Sequence, residues 1–385
     1  MIAASVETVV FEEQVVGPAA PPSPSRKATH LPELDGIRGI AILLVLAFHG
    51  FAWSMQYETW TGFPRVIALV TLPGERGVDL FFVLSGFLIT GILLDSVGRP
   101  RYFRNFYARR ALRILPLYYL MLFLIGISYS GSRGFVALGI FYLSNMAPLF
   151  RVAVVYGPLW SLSVEEHFYL LWPWLISRLK PDRVGLLAGG IFLAEPVFRG
   201  FAFFHGWDVA TYSWFRLDGL AAGALLASFV RSDWYSEKRL LRLGSGCIVG
   251  AAILAGIGLP FGLYTRKTLT GAALLFTFFS LLFAGVISVV LSGGFRCLSG
   301  LMRSRSLGWC GDLSYCLYIL HWLIFYGWDS IIGKHPPRVV AGLGRFGAIC
   351  IRALAVYVIC FTLAEVSRRY FEGPLLRLKR FFAYA

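Results

Sequence analysis

Apolar runs of about 20 residues recur from one end of this 385-residue chain to the other. A run of that length is what an α-helix needs to cross a hydrocarbon layer roughly 30 Å thick, since each residue advances it by about 1.5 Å. Hydrocarbon offers no water to the backbone N–H and C=O groups, so such a chain must satisfy them within helices. Composition agrees: 57% of residues are hydrophobic and 15% charged, against roughly a quarter charged in soluble domains. The expected fold class is all-α, a polytopic membrane protein of about ten transmembrane helices. The spans are read near 37–54, 77–95, 113–130, 158–178, 184–204, 212–230, 243–262, 268–291, 309–327 and 340–366.

The formal charge of +15 does not mark a nucleic-acid binder, because the basic residues sit in short loops between apolar runs. They read as topology signals. With both termini in the cytoplasm, 24 of the 36 Lys and Arg fall on the inner side, eleven outside, and Arg352 within the last helix. Residues 134–150 tempt an eleventh span, but counting it would send the Arg-rich C-terminus outside. This stretch is expected to be re-entrant or interfacial. Residues 1–30, with the Pro/Ser-rich PAAPPSPSRK, read as a disordered cytoplasmic tail rather than a signal peptide. Residues 31–367 form the transmembrane domain, and 368–385 a basic cytoplasmic tail. Six cysteines show no metal-ligand spacing and read as packing residues, so no metal is expected. The absence of a visible internal repeat weakens a transporter built from inverted repeats.

Against this apolar background the ionisable residues stand out, since each is costly at membrane depth. Arg38 and His49 lie eleven positions apart in the first span. Eleven steps of about 100° leave both on one α-helical face, separated by about 16 Å. RPRYFRNFYARRALRILP carries six arginines, of which Arg109, Arg110 and Arg113 stand at a helix mouth. A cytoplasmic anchor against anionic lipid would account for them, as would a dock for phosphates. In WSLSVEEHFYLLWP, Ser161 and Glu165 are i,i+4 and share a face, whereas Glu166 and His167 point elsewhere. Glu165 serves either to cap the helix or to orient an imidazole on another helix. Ser85 in GVDLFFVLSGFLIT is a candidate donor to a ligand, and Gly86 a close-packing position. Asp218 with Arg216 is expected at an outer helix mouth, and His321 inside the ninth helix packs there or touches substrate. Glu195 and Arg199, i,i+4 in the fifth helix, neutralise one another.

Taken together, LDGIRGIAILLVLAFH, GVDLFFVLSGFLIT, FYARRALRILPLYYL, PLWSLSVEEHFYLLWP, RLDGLAAGALLA, LSYCLYILHW and FEGPLLRL resemble the acyltransferase 3 family of integral membrane O-acyltransferases. Seven strings in order cover nearly the whole chain. The resemblance implies a ten-helix bundle that moves an acyl group, commonly acetyl from acetyl-CoA, onto a hydroxyl, usually of a sugar. Its Arg-x10-His hallmark maps onto Arg38 and His49, and its Ser-x3-Glu onto Ser161 and Glu165. Its arginine-bearing third-helix entrance maps onto Arg109, Arg110 and Arg113, and its FFxxSGF element onto Phe81, Phe82, Ser85, Gly86 and Phe87. The family usually has Gln where His167 stands, so no role passes to that residue. Some members carry a C-terminal SGNH hydrolase-like domain; none is expected here.

The expectation is an acyl-CoA-dependent O-acyltransferase in the inner membrane, with no permanently bound cofactor. Arg109, Arg110 and Arg113 would hold the CoA phosphates, and Arg38 would pair with a phosphate or pantetheine carbonyl or set the field along the path. His49 would act as general base or transient acyl carrier, oriented by Glu165. Ser85, Ser161, Asp218 and His321 are the expected substrate contacts, with a carbohydrate or glycosylated metabolite as acceptor. The competing reading is a proton-coupled transporter or flippase of a glycan or lipid-linked substrate. A non-catalytic scaffold would leave the Arg38–His49 alignment unexplained.

Overall fold

The computed structural model describes residues 31–55, 59–333, 342 and 344–383. These residues are helical and contain no strand. Ten long helices follow one another: α1 Pro32–Ala47, α2 Gly77–Ser96, α3 Tyr102–Ser128, α4 Leu159–Arg178, α5 Pro181–Phe204, α6 Leu217–Val230, α7 Glu237–Gly258, α8 Leu269–Ser292, α9 Arg305–Ile331 and α10 Gly344–Ser367. Seven helices among the described residues are long and apolar enough to cross a membrane on length and composition alone, and α4, α6 and α9 are outside that set. The 14-residue α6 is short, and α4 and α9 carry the polar residues of the site described below. Lipid-facing character shows on α5, α7 and α10, where Leu186, Val197, Ile253, Ile257, Leu354 and Val358 are all more than half exposed. A soluble surface would not carry so large an apolar face. The protein is a multi-pass cell-membrane protein.

Residues 134–150 do not form an eleventh span. An eight-residue helix, Arg133–Ile140, turns at Tyr142 (φ 58°) into a short 3-10 segment, Ser144–Phe150. Tyr118 on α3 donates to Gly139 O (2.7 Å) and stacks on Tyr142, while Ser144 Oγ pairs with Ser163 Oγ on α4 at 2.8 Å. The irregular backbone is thus held against protein, as its polar groups require at such depth. The largest boundary difference from the sequence reading is at α3, which begins at Tyr102, so Arg104, Arg109, Arg110 and Arg113 ride on its first turns rather than in a loop. Arginine is a good helix former, and its long side chain reaches water from the end of a span.

Two close approaches set the packing around the site. A Cβ on Gly86 of α2 would lie 2.0 Å from Leu220 O, and one on Gly223 of α6 would lie 2.0 Å from Val83 O. The two helices therefore touch backbone to backbone, as small residues allow in membranes. At the other end of α1 the α-helical ladder gives way to a π-turn, Phe48–Ala52, in which Trp53 N bonds Phe48 O (2.9 Å). There His49 Nδ1 lies 2.9 Å from Val45 O, and Tyr357 Oη donates to Leu46 O at 2.7 Å. Side-chain donors on successive carbonyls are a recognised cause of such a break.

Gly223→Val is expected to lower the thermal unfolding midpoint of the detergent-purified protein sharply or to abolish monodisperse protein. Gly246→Val on α7, where an added Cβ meets nothing within 4 Å, should leave the midpoint within about two degrees, because surface changes cost little.

Candidate functional site

A cavity of about 110 Å³ lies between α1, α2, α3, α4 and α9. It gathers six of the residues singled out in the sequence: Arg38, Ser85, Arg110, Arg113, Ser161 and Glu165. The same cavity is lined by three tyrosines that were not singled out, Tyr169, Tyr315 and Tyr318. Tyr169 Oη donates to Glu165 Oε2 (3.1 Å) and shares a short hydrogen bond with Ser85 Oγ. Arg110 lies over the Tyr169 ring at 5.7 Å. Ser161 Oγ and Tyr318 Oη are 2.6 Å apart. Ser161, Glu165 and Tyr169 are spaced i, i+4, i+8, so they form one stripe of α4. That spacing was the signal for Tyr169.

Arg38 pairs with Asp35 one turn back (3.0 Å) and feels the charges of Arg113 and Arg110. Three guanidinium groups thus converge on the mouth of one cavity, an arrangement suited to phosphate oxygens. Arg109 points elsewhere: its Nη1 donates to Lys379 O and Phe382 O at 3.4 Å each, seating the C-terminal segment against α3. That segment follows α10, which is already about 36 Å long and long enough to cross a bilayer. Lys379 therefore sits outside the span, and burial together with the charges of Arg113, Arg110, Arg109 and Arg38 pushes its ammonium down to about 7.

His49 does not line the arginine cavity. It sits in the π-turn, so the α-helical wheel that aligned it with Arg38 does not extend to it. Its ring centroid lies 4.9 Å from that of His321 and 5.1 Å from that of Trp322. His321 is fully buried, and Tyr318, which lines the cavity, stands 5.8 Å from it. The cavity, Tyr318, His321 and His49 thus follow one another through the bundle. Glu165 meets Tyr169 rather than either imidazole. Both histidines are oriented by backbone instead: His49 Nδ1 faces Val45 O, and His321 Nδ1 faces Tyr318 O at 2.7 Å and Leu317 O at 3.1 Å. A carbonyl oxygen only accepts, so each neutral ring carries its proton on Nδ1 and keeps the Nε2 lone pair. His321 Nε2 is buried with no hydrogen-bond partner among the described residues.

Asp218 lies apart from the cavity, buried in an ion network. Arg199, fully buried, reaches Glu195 Oε2 (3.0 Å) and Asp218 Oδ2 (2.9 Å), with Thr277 Oγ1 beside them. The expected Glu195–Arg199 pair is thus present. Arg216 in turn bonds Asp79 and the Ala210 carbonyl, with its guanidinium 3.8 Å from the Phe276 ring centroid and 4.8 Å from that of Trp160. His167 Nδ1 meets Ser213 Oγ at 2.6 Å, joining α4 to the short turn before α6.

The site is an all-α membrane bundle in which arginines converge on one cavity and two imidazoles pack beside it. A family described as "Acyltransferase domain" (acyltransferase 3) matches residues 31–365, and the chain belongs to that family. It is 27% identical over 383 residues to the peptidoglycan O-acetyltransferase OatA of Listeria monocytogenes, covering 91% of this chain and 56% of that protein. A putative peptidoglycan O-acetyltransferase, YrhL of Bacillus subtilis, is 28% identical over 90% of this chain and 55% of its own length. The O-acetyltransferase OatA of Staphylococcus aureus is 27% identical over 92% and 58% respectively. The chain thus spans little more than half the length of these curated relatives. No solved structure matches significantly.

Arg199→Leu should lower stability by about 3–5 kcal/mol, because it leaves the buried Glu195 and Asp218 without their cation. Thermal unfolding in detergent reads this out, and an unchanged midpoint would show that the network contributes nothing to the fold.

Proposed function

We propose that this chain is a membrane O-acyltransferase that moves an acyl group, acetyl in the simplest case, from acyl-CoA to a hydroxyl of a cell-envelope saccharide. The observation that carries the reading is the line from three converging guanidiniums, through Tyr318, to a pair of imidazoles with free Nε2 lone pairs. The activities of the relatives, peptidoglycan O-acetylation among them, support a saccharide acceptor.

In this reading Arg110, Arg113 and Arg38 hold the donor's phosphates, and the thin acylated arm runs into the 110 Å³ cavity. Ser85, Tyr169 and Ser161 offer hydroxyls along its wall, and Glu165 fixes the Tyr169 proton. His49 uses one lone pair for either of two roles. As general base, its Nε2 takes the acceptor's proton while the acceptor oxygen attacks the thioester carbonyl and the CoA thiolate leaves. As carrier, Nε2 attacks the thioester carbonyl and the CoA thiolate leaves; the acceptor hydroxyl then attacks the acyl-imidazole, and its proton goes to the departing Nε2. His321, 4.9 Å away, packs the second imidazole against His49 and lies between it and Tyr318.

His49→Ala, recovered as monodisperse protein, should lose at least about a hundredfold in transfer to saccharide, in keeping with the size of general-base effects. Retained activity would remove His49 from the chemistry. Donor binding should also be linked to Lys379. Its ammonium, depressed to about 7 without an anion, regains a proton when phosphates arrive. The KM for acetyl-CoA should therefore be flat near and below pH 7 and rise between pH 7 and 9. Initial rates across that range test this; Lys379→Met should flatten the rise, and acetyl-pantetheine, which lacks phosphate, should show none.

A further inference from the structure

A second, larger cavity of about 510 Å³ opens beside the π-turn of α1, away from the arginine mouth. Trp53, Ser54, Trp328, Asp329, Arg345 and Arg352 are among its walls. We propose that this cavity is a saccharide-binding vestibule, which seats one pyranose unit of the acceptor next to His49. The proposal rests on the acyltransferase reading and extends it to the acceptor's own subsite.

Three observations converge on it. The first is position. Trp53 lies 6.3 Å from His49 and 5.6 Å from Trp322, which itself packs against His49, so the cavity wall and the surroundings of the imidazole are one aromatic surface. The second is a fixed polar fork. Arg352 grips Asp329 through two bonds, Nε–Oδ1 at 2.6 Å and Nη2–Oδ2 at 2.7 Å. Its Nη1 donates to Ser54 Oγ (2.9 Å), and Ser54 Oγ donates to the His49 carbonyl (3.2 Å). The charge pair is thereby tied to the backbone of the turn that carries His49. The Arg352 side chain is 15% exposed and that of Asp329 51%, so the carboxylate is the partner presented to the cavity.

The third observation is size and surface chemistry. At about 510 Å³ the vestibule falls within the roughly 300–1,000 Å³ of ordinary ligand sites. The arginine cavity, at about 110 Å³, suits a narrow chain rather than a ring. A pyranose presents apolar C–H faces and a rim of hydroxyls. Indole faces match the first, and a carboxylate that only accepts, held beside guanidinium donors, matches the second. Arg345 and Arg352 against one Asp329 leave the walls net positive, which also admits an acidic sugar.

The test uses the full chain in lipid nanodiscs and, as probe, the disaccharide of N-acetylglucosamine and N-acetylmuramic acid. Binding is titrated calorimetrically in a His49→Ala background, where no turnover interferes. Asp329→Asn and Trp53→Ala should each weaken binding at least tenfold. In the chain with His49 intact, they should raise the acceptor KM by a similar factor and leave the KM for acetyl-CoA within twofold. Asp329→Asn is isosteric but loses charge against Arg352, so its thermal midpoint is measured alongside, and Trp53→Ala, which leaves the Arg352–Asp329 pair intact, keeps the test open if Asp329→Asn unfolds. Failure of the disaccharide to bind, or binding indifferent to both substitutions, overturns the vestibule. Saccharide binding through Asp329 and Trp53 without any acyl transfer would keep the vestibule and overturn the acyltransferase reading instead.

Discussion

Charge is expensive in hydrocarbon, and this bundle is organised by where it can be tolerated. Arg199 is fully buried, yet it closes on two carboxylates from α5 and α6 and on a threonine of α8. Arg216 is enclosed by aromatic faces and paired with Asp79. These pairs hold α2, α5, α6 and α8 in register, and the glycine contacts between α2 and α6 let the helices approach closely enough to make them. Replacing such pairs with hydrocarbon often costs a protein little stability, whereas removing one partner costs much. Apart from these pairs, α1, α3, α4 and α9, with α2, place a second set of polar groups around an internal cavity.

That space is graded. At one mouth stand guanidiniums, then phenol and alcohol hydroxyls on α2, α4 and α9, then two imidazoles, then indoles. In the acyltransferase reading proposed above, each zone would suit a different part of the reaction: polyanion, thin acyl arm, reacting carbonyl, sugar ring. Two cavities of unequal size, one lined by guanidiniums and hydroxyls and the other by indoles and the Arg352–Asp329 pair, stand apart from each other; in the reading proposed above they would give donor and acceptor separate approaches.

Much of this was legible in the sequence, and what was not has a physical cause. Helix positions followed from apolar run length, and the spacing of Ser161 and Glu165 put them on one face of the cavity as expected. The same stripe continues to Tyr169, which was passed over because a tyrosine on an apolar helix carries no charge to draw notice. Arg38 and His49 were read on one α-helical face, but the α-helical repeat does not extend through residues 48–52. Local sequence could not reveal that, because the carbonyls of Val45 and Leu46 are engaged by His49 itself and by Tyr357, some 310 residues away. Asp218 looked like a residue at an open helix mouth, and only its partner Arg199, on another helix, explains its burial. Long-range partners, not local propensity, separate the two outcomes.

The orientation of His49 by Val45 O has a bearing on how this site tolerates change. Many histidines are held by a carboxylate, which any single substitution can remove. Here the holding group is a main-chain oxygen, present whatever side chain occupies position 45. A substitution at position 45 therefore leaves the acceptor in place, and the imidazole keeps its proton on Nδ1 and its Nε2 lone pair whatever that side chain is.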